Sequence, residues 1–301
     1  MLNYLLYTIT VLIWGSTWLA IHFQLGNVPP TWSVAYRFAI ASALLLLFCL
    51  VTGRNLRFSR KEHTAMALQG ALLFSLNYIL YYVGTMYFAS GLVAIIFASI
   101  IVMNIINSRI FFGTPLVPKV IIGATIGLLG LTLVFSSQWQ QFHIQQQGLS
   151  YLISGTLICF LATLVASFGN MTSLYNQRLK LPIIQSNAFG MLYGTIIVII
   201  IALLLGHKPS FDTSFRYISS LLYLAIVGTV LAFGAYLQLL GKIGPERASY
   251  AFVLLPIVAL ALSANFEGFQ WNSLTMGGIV LILLGNGLVL VSKNKAEAIS
   301  K

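Results

Sequence analysis

Five residues into one apolar run stands an arginine, Arg37, in the stretch Thr31-Trp32-Ser33-Val34-Ala35-Tyr36-Arg37-Phe38. A guanidinium in such a setting is costly unless it is paired or faces water. Two readings follow: Arg37 snorkels to the interface or pairs with helix-end carbonyls, or its planar fork holds a carboxylate or phosphate. At 1.5 Å per residue it lies roughly 8 Å below the start of its helix. Further on, Asn77, Tyr81 and Thr85 recur every four residues, with Tyr78 and Tyr82 on the adjacent stripe. One helix face therefore offers an amide and several hydroxyls to a small polar solute; for the lower tyrosines an interfacial aromatic belt is the alternative. Trp14 and Trp18, one turn apart, can stack on an apolar or aromatic moiety, and Asn104, Asn170 and Tyr250 add polar groups to other apolar runs. Buried amides also simply hold helices together, at about 0.5–2 kcal/mol each.

The chain has five acids, Glu62, Asp212, Glu246, Glu267 and Glu297, all at loops or run ends. None sits mid-run, which argues against a carboxylate relay for protons. Glu267 and His22, each near the end of a run, are the candidates for proton coupling; the alternatives are an interface-facing side chain for Glu267 and a solvated helix end for His22. His63, His143 and His207 fall in loops without metal-ligand spacing. Cys49 and Cys159 lie inside apolar runs and form neither a metal site nor a disulfide framework. There is no Gly-Lys-Ser or Gly-Lys-Thr of a Walker loop, no His-Glu-x-x-His and no nucleophile elbow with partners. No enzyme, cofactor or metal is expected.

The elements that must position these residues follow from composition. Of 301 residues, 59% are hydrophobic and 7% charged, with a mean hydropathy of +0.93. A soluble domain carries about 25% charged residues, so soluble enzymes, nucleic-acid binders and disordered chains are excluded. A membrane-crossing helix needs roughly 20 apolar residues. The runs are Leu2–Phe23, Trp32–Val51, His63–Val83, Gly91–Phe112 and Val117–Ser136, then Leu149–Leu174, Ile183–Leu205, Tyr217–Leu240, Ala248–Phe266 and Leu274–Val291. They are apolar on both faces, unlike barrel strands. The first lacks a basic n-region and a small-residue cleavage site, so it is kept as a span. The expectation is an all-α integral membrane protein of ten helices on short loops, with Pro256 as a kink or hinge inside the ninth.

A net charge of +11 and a pI near 9.8 suggest nucleic acid until the charges are located. Arg54, Arg57, Arg60, Lys61, Arg109, Lys119, Arg178, Lys180, Lys242, Arg247, Lys293, Lys295 and Lys301, 13 of the 16 basic residues, fall on alternate connections and the tail. The other connections hold Lys208 and Arg216. This alternation is an insertion signal that places both termini in the cytoplasm.

The halves resemble each other. Ile13-Trp14-Gly15-Ser16-Thr17 parallels Ser167-Phe168-Gly169-Asn170-Met171, Gly84–Ala94 overlays Gly241–Ala251, and the glycines of Gly123–Phe135 parallel those of Gly277–Val289. Five helices per copy invert the second copy, an arrangement of many secondary transporters whose substrate binds near the midplane between repeats. The expected division is 1–137 as the first repeat, 138–147 as an extracytoplasmic linker, 148–292 as the second repeat and 293–301 as a cytoplasmic tail. With Ile13-Trp14-Gly15-Ser16, Tyr36-Arg37-Phe38, Ser90-Gly91-Leu92, Gly244-Pro245, Pro256, Phe266-Glu267-Gly268 and Gly277–Asn286, the chain resembles the EamA-type branch of the drug/metabolite transporter superfamily over nearly its whole length. It departs where family repeats carry a mid-helix Pro and a Gly-Glu pair, for Ser99–Ile101 has no Pro and Gly113 precedes Thr114.

The resemblance implies an exporter of amino acids, related metabolites or drugs in a bacterial inner membrane, working by alternating access. Small-molecule substrate and membrane lipids are the expected partners, with homo-oligomerisation open. A lipid or lipid-linked carrier (flippase) is the alternative, and a non-transporting scaffold a further one.

Overall fold

The computed structural model describes residues 2–114, 118–144 and 148–299; residues 2–3, 120, 135, 137–144, 237–250 and 289–299 are described as backbone only. All regular structure among them is helical. In chain order the helices are α1 (Leu2–His22), α2 (Pro30–Val51), α3 (Arg60–Thr85), α4 (Ser90–Phe112), α5 (Pro118–Ile144), α6 (Leu149–Arg178), α7 (Ile183–Leu204), α8 (Phe215–Tyr236), α9 (Ala251–Phe266) and α10 (Ser273–Ile299). Seven are long and apolar enough to cross a membrane; α5, α9 and α10 carry shorter apolar stretches. Leu47, Phe48, Ile110, Leu157, Ile200 and Leu203 stay exposed on the outside of the bundle, where lipid replaces water as solvent.

Local chemistry sets several boundaries. Pro30 opens α2, where a missing N–H costs nothing. Ser59 and Glu62 form a reciprocal capping box at the start of α3. Gly268, at φ +70°, ends α9 in the left-handed region that favours glycine.

Three helical stretches run past the apolar runs that mark them in the sequence. Helix α5 continues to Ile144 and α10 to Ile299, so residues 138–144 of the expected linker and most of the expected tail are helical. Hydropathy marks only the lipid-facing part of a helix, whereas glutamine, lysine and alanine extend it readily beyond. The backbone is also helical through Gly241–Arg247, where a loop was expected, within a run ending at Phe266. Yet the chain doubles back there. The rings of Tyr236 and Phe252 lie 5.6 Å apart, whereas 16 residues of straight helix span about 24 Å. Along α1, Tyr223 meets Ser16, Tyr236 meets Trp14 and Leu6, so α8 runs antiparallel to it. Phe252 meets Trp14, Val258 meets Gly15 and Glu267 meets His22, so α9 runs parallel to it.

The chief helix pairs join distant parts of the chain: α1 with α9, α2 with α7, α3 with α6 and α7, α4 with α6 and α9, and α5 with α10. The last pair touches backbone to backbone. A Cβ at Gly278 would lie 2.5 Å from the Gly130 carbonyl oxygen, and one at Gly285 2.5 Å from that of Gly123.

Helices α3 and α8 each contain a π-helical segment, Leu72–Leu76 and Tyr223–Leu231. Such widened turns redirect backbone carbonyls and are frequent at functional sites.

Candidate functional site

Arg37 lies inside the bundle, 2% exposed. Its Nε and Nη2 each donate to Thr229 Oγ1 at 3.4 Å, and its guanidinium carbon stands 4.7 Å from the Tyr78 ring centroid and 5.3 Å from that of Phe38. Nη1 has no hydrogen-bond partner, and no carboxylate pairs with Arg37 among the described residues. A cation–π contact contributes about 0.5–2 kcal/mol, less than the several kcal/mol for burying an unpaired ion. One edge of the fork, Nη1, is thus a buried donor without a hydrogen-bond acceptor.

The π segment of α8 shapes this partner. Thr229 donates to Leu224 O five residues back, leaving its hydroxyl oxygen to accept from Arg37, while Gly228 O accepts from Trp14 Nε1 at 3.2 Å. Within the π segment of α3 and just past it, Ser75 Oγ and Asn77 Oδ1 are buried without hydrogen-bond partners. An unsatisfied buried polar atom costs about 1–3 kcal/mol.

An aromatic wall leads away from Arg37. Tyr78 is 6.5 Å from Tyr81, which is 5.2 Å from Trp18 and 5.7 Å from Phe97. One turn along α1, half-buried Trp14 meets Phe233, Tyr236 and Phe252 at 5.1–5.5 Å. The Tyr81 hydroxyl is spent on Thr163, 3.1 Å away. Arg37, Tyr78, Tyr81, Trp18 and Phe97 thus form one chain of contacts, with Asn77 next to Tyr78 in sequence and Trp14 one turn from Trp18.

Asn104 and Asn170 are not part of it. Asn170 Nδ2 donates to Asn104 Oδ1 at 3.2 Å, and Asn104 is seven residues beyond Phe97, about 10 Å along the helix. The Tyr250 side chain lies outside the described residues. Pro256 is accommodated within α9; having no N–H, it leaves the Phe252 carbonyl without its helical donor, directly behind the Trp14 stack. His22 and Glu267 meet at one end of the bundle, with Nδ1 3.1 Å from Oε1.

Two polar clamps flank the wall, and of their residues only Tyr82 stood among the sequence candidates. At one end, Gln69 donates to Asn187 Oδ1 at 2.8 Å, while Asn176 donates to Gln69 Oε1 at 2.7 Å and Ser186 to the same oxygen at 3.1 Å. This clamp ties α3, α6 and α7 near Arg54–Lys61 and Arg178. At the other end, Ser33 bonds Tyr217 at 2.9 Å, Ser16 bonds Tyr223 at 2.6 Å, Thr31 bonds His207 at 2.9 Å and Tyr82 donates to Gln24. There the Asp212 carboxyl is held below the ordinary carboxylate range by the Ser214 amide first, then the Ser214 hydroxyl and the Asn27 amide. The amides of Gln69 and Asn187 inside apolar runs, with Asn176 two residues past the end of another, were the signal for the first clamp.

The EamA-like transporter family profile matches residues 1–136 and 153–291. The chain is 29% identical over 287 residues to the uncharacterized inner membrane transporter YedA of Escherichia coli (strain K12), covering 92% of this chain and 89% of that protein. It is 26% identical to Protein PagO of Salmonella typhimurium, over 96% of this chain and 93% of that one. It is also 26% identical to the uncharacterized transporter YoaV of Bacillus subtilis, over 92% and 90%. A crystal structure with TM-score 0.68 and 18% identity covers 96% of this chain and 98% of its own, a likeness of fold.

Proposed function

Because the chain belongs to the EamA-like transporter family, we propose that it is a ten-span secondary transporter of the bacterial inner membrane, exporting amino acids or related small organic metabolites by alternating access. YedA, an inner membrane transporter by name, supports the location. The observation that carries the substrate reading is the buried Arg37 with Nη1 unpaired and no carboxylate beside it. A substrate carboxylate would take that edge of the fork, Asn77 and Tyr78 would meet its polar atoms, and Trp14 and Trp18 would pack its apolar part.

The clamps support two inverted five-helix repeats. A shift of five in helix number pairs α1 with α6, α2 with α7 and α3 with α8, so α3, α6 and α7 are the counterparts of α8, α1 and α2. The clamp at one end ties α3, α6 and α7, and that at the other ties α8, α1 and α2. Alternating access then exchanges one clamp for the other while the wall between them stays. Export of an anionic substrate would move net charge, and an inside-negative potential would assist it.

The test is counterflow in proteoliposomes preloaded with mixed amino acids and scanned with labelled ones, with and without a pH gradient. Accumulation of any one establishes the carrier and its substrate class. Silence across the panel from folded protein overturns the amino-acid reading and directs the search to lipid-linked or drug-like solutes.

A further inference from the structure

Glu267 ends α9 with its side chain 3% exposed. Its carboxylate accepts hydrogen bonds from the Ser90 backbone N–H, 3.1 Å from either oxygen, and from the Ser90 hydroxyl. It thus caps the first turn of α4, where helix N–H groups lack partners and favour negative charge. Over it lies His22, the last residue of α1, with Nδ1 3.1 Å from Oε1 and its side chain 36% exposed. Three helix ends, those of α1, α4 and α9, therefore meet on one buried carboxylate covered by an imidazole that solvent can reach. At the far mouth the ends of α4 and α6 meet differently: the Arg178 guanidinium carbon lies 4.0 Å from the Phe112 ring centroid, a contact between an always-charged group and a ring.

We propose that His22, Glu267 and Ser90 form a proton-operated latch on the mouth opposite the basic loops. With a proton on His22 the contact is an ion pair, α1 is drawn onto the Glu267 carboxylate, and the mouth is held shut. With His22 neutral that attraction is gone, and only the Ser90 bonds hold α4 to α9. Acid on that side favours the closed mouth, and the Arg178–Phe112 mouth has no equivalent response. The other charged groups near the latch are Arg216 of α8, over the Phe23 ring at 4.5 Å, Asp212, bonded to Asn27, and His207, bonded to Thr31. This latch rests on the transporter reading, so its test needs a readout independent of substrate.

Spin labels on Asn27→Cys and Gln270→Cys, both exposed positions, in the full chain in nanodiscs report the separation of these helix ends; native Cys49 and Cys159 are fully buried. Between pH 8 and pH 5.5 the closed-to-open population ratio should rise about two- to fivefold, the range of an ion pair that solvent reaches on its His22 side. His22→Gln should flatten that response. A pH-independent distance in the unsubstituted chain, or an undiminished response in His22→Gln, overturns the latch. Absence of counterflow together with an intact distance response would sink the substrate reading and leave the latch standing.

Discussion

The Arg37 fork is the group whose removal has the clearest consequence. Arg37→Ala should abolish counterflow of a carboxylate substrate while the protein stays monodisperse in detergent; undiminished transport returns Arg37 to packing. Arg37→Lys keeps the charge but loses the planar fork, and should weaken apparent affinity by about 1.5–3 kcal/mol, the range of a hydrogen bond to a charged group. Asn77→Ala should shift apparent affinity by about 1 kcal/mol, measured by competition in the same vesicles. Arg37, Asn77 and Tyr78 were legible in sequence because polar atoms in an apolar run demand a reason. Thr229 was not. A threonine in an apolar helix is unremarkable, the π turn that frees its oxygen leaves no pattern, and it stands 192 positions from Arg37.

Between helices, the α5–α10 seam makes the sharpest prediction because adjacent glycines differ. A Cβ at Gly278 would meet the Gly130 carbonyl and Val134, whereas one at Gly277 would meet nothing within 4 Å. Gly278→Ala should therefore lower stability by about 1–3 kcal/mol through overpacking. Gly277→Ala should be neutral or gain up to about 1 kcal/mol of helix propensity. Thermal unfolding in detergent distinguishes them, and equal melting temperatures would contradict the seam. The apolar runs located the seven helices long and apolar enough to cross a membrane and the three shorter apolar stretches, since hydrophobic length is what a bilayer selects. The ends were obscured because polar residues such as Gln138–Gln141 lengthen a helix without lengthening its apolar stretch. The turn-back between Tyr236 and Phe252 is visible only from the ring contacts that straddle it.

Across the whole molecule, the alternation of Lys and Arg predicts that a C-terminal fluorescent-protein fusion will fluoresce while an alkaline phosphatase fusion at the same site stays inactive; active phosphatase would reverse the orientation. The charge alternation and the family motifs were readable in the chain, whereas the interlocking of its halves was not, because periodicity shows that a helix exists and not which partner it chooses. That interlocking bears on how the protein is made. The principal partners of α1, α2 and α5 are α9, α7 and α10, so the first-made helices enter the bilayer before their partners exist. Synthesis at about 5–20 residues per second separates Arg37 from Thr229 by about 10–40 s. For that interval a guanidinium and the Asn77 amide must be sheltered by water or by the insertion machinery, and a ribosome stalled within α7 would leave an orphan half exposed to membrane quality control.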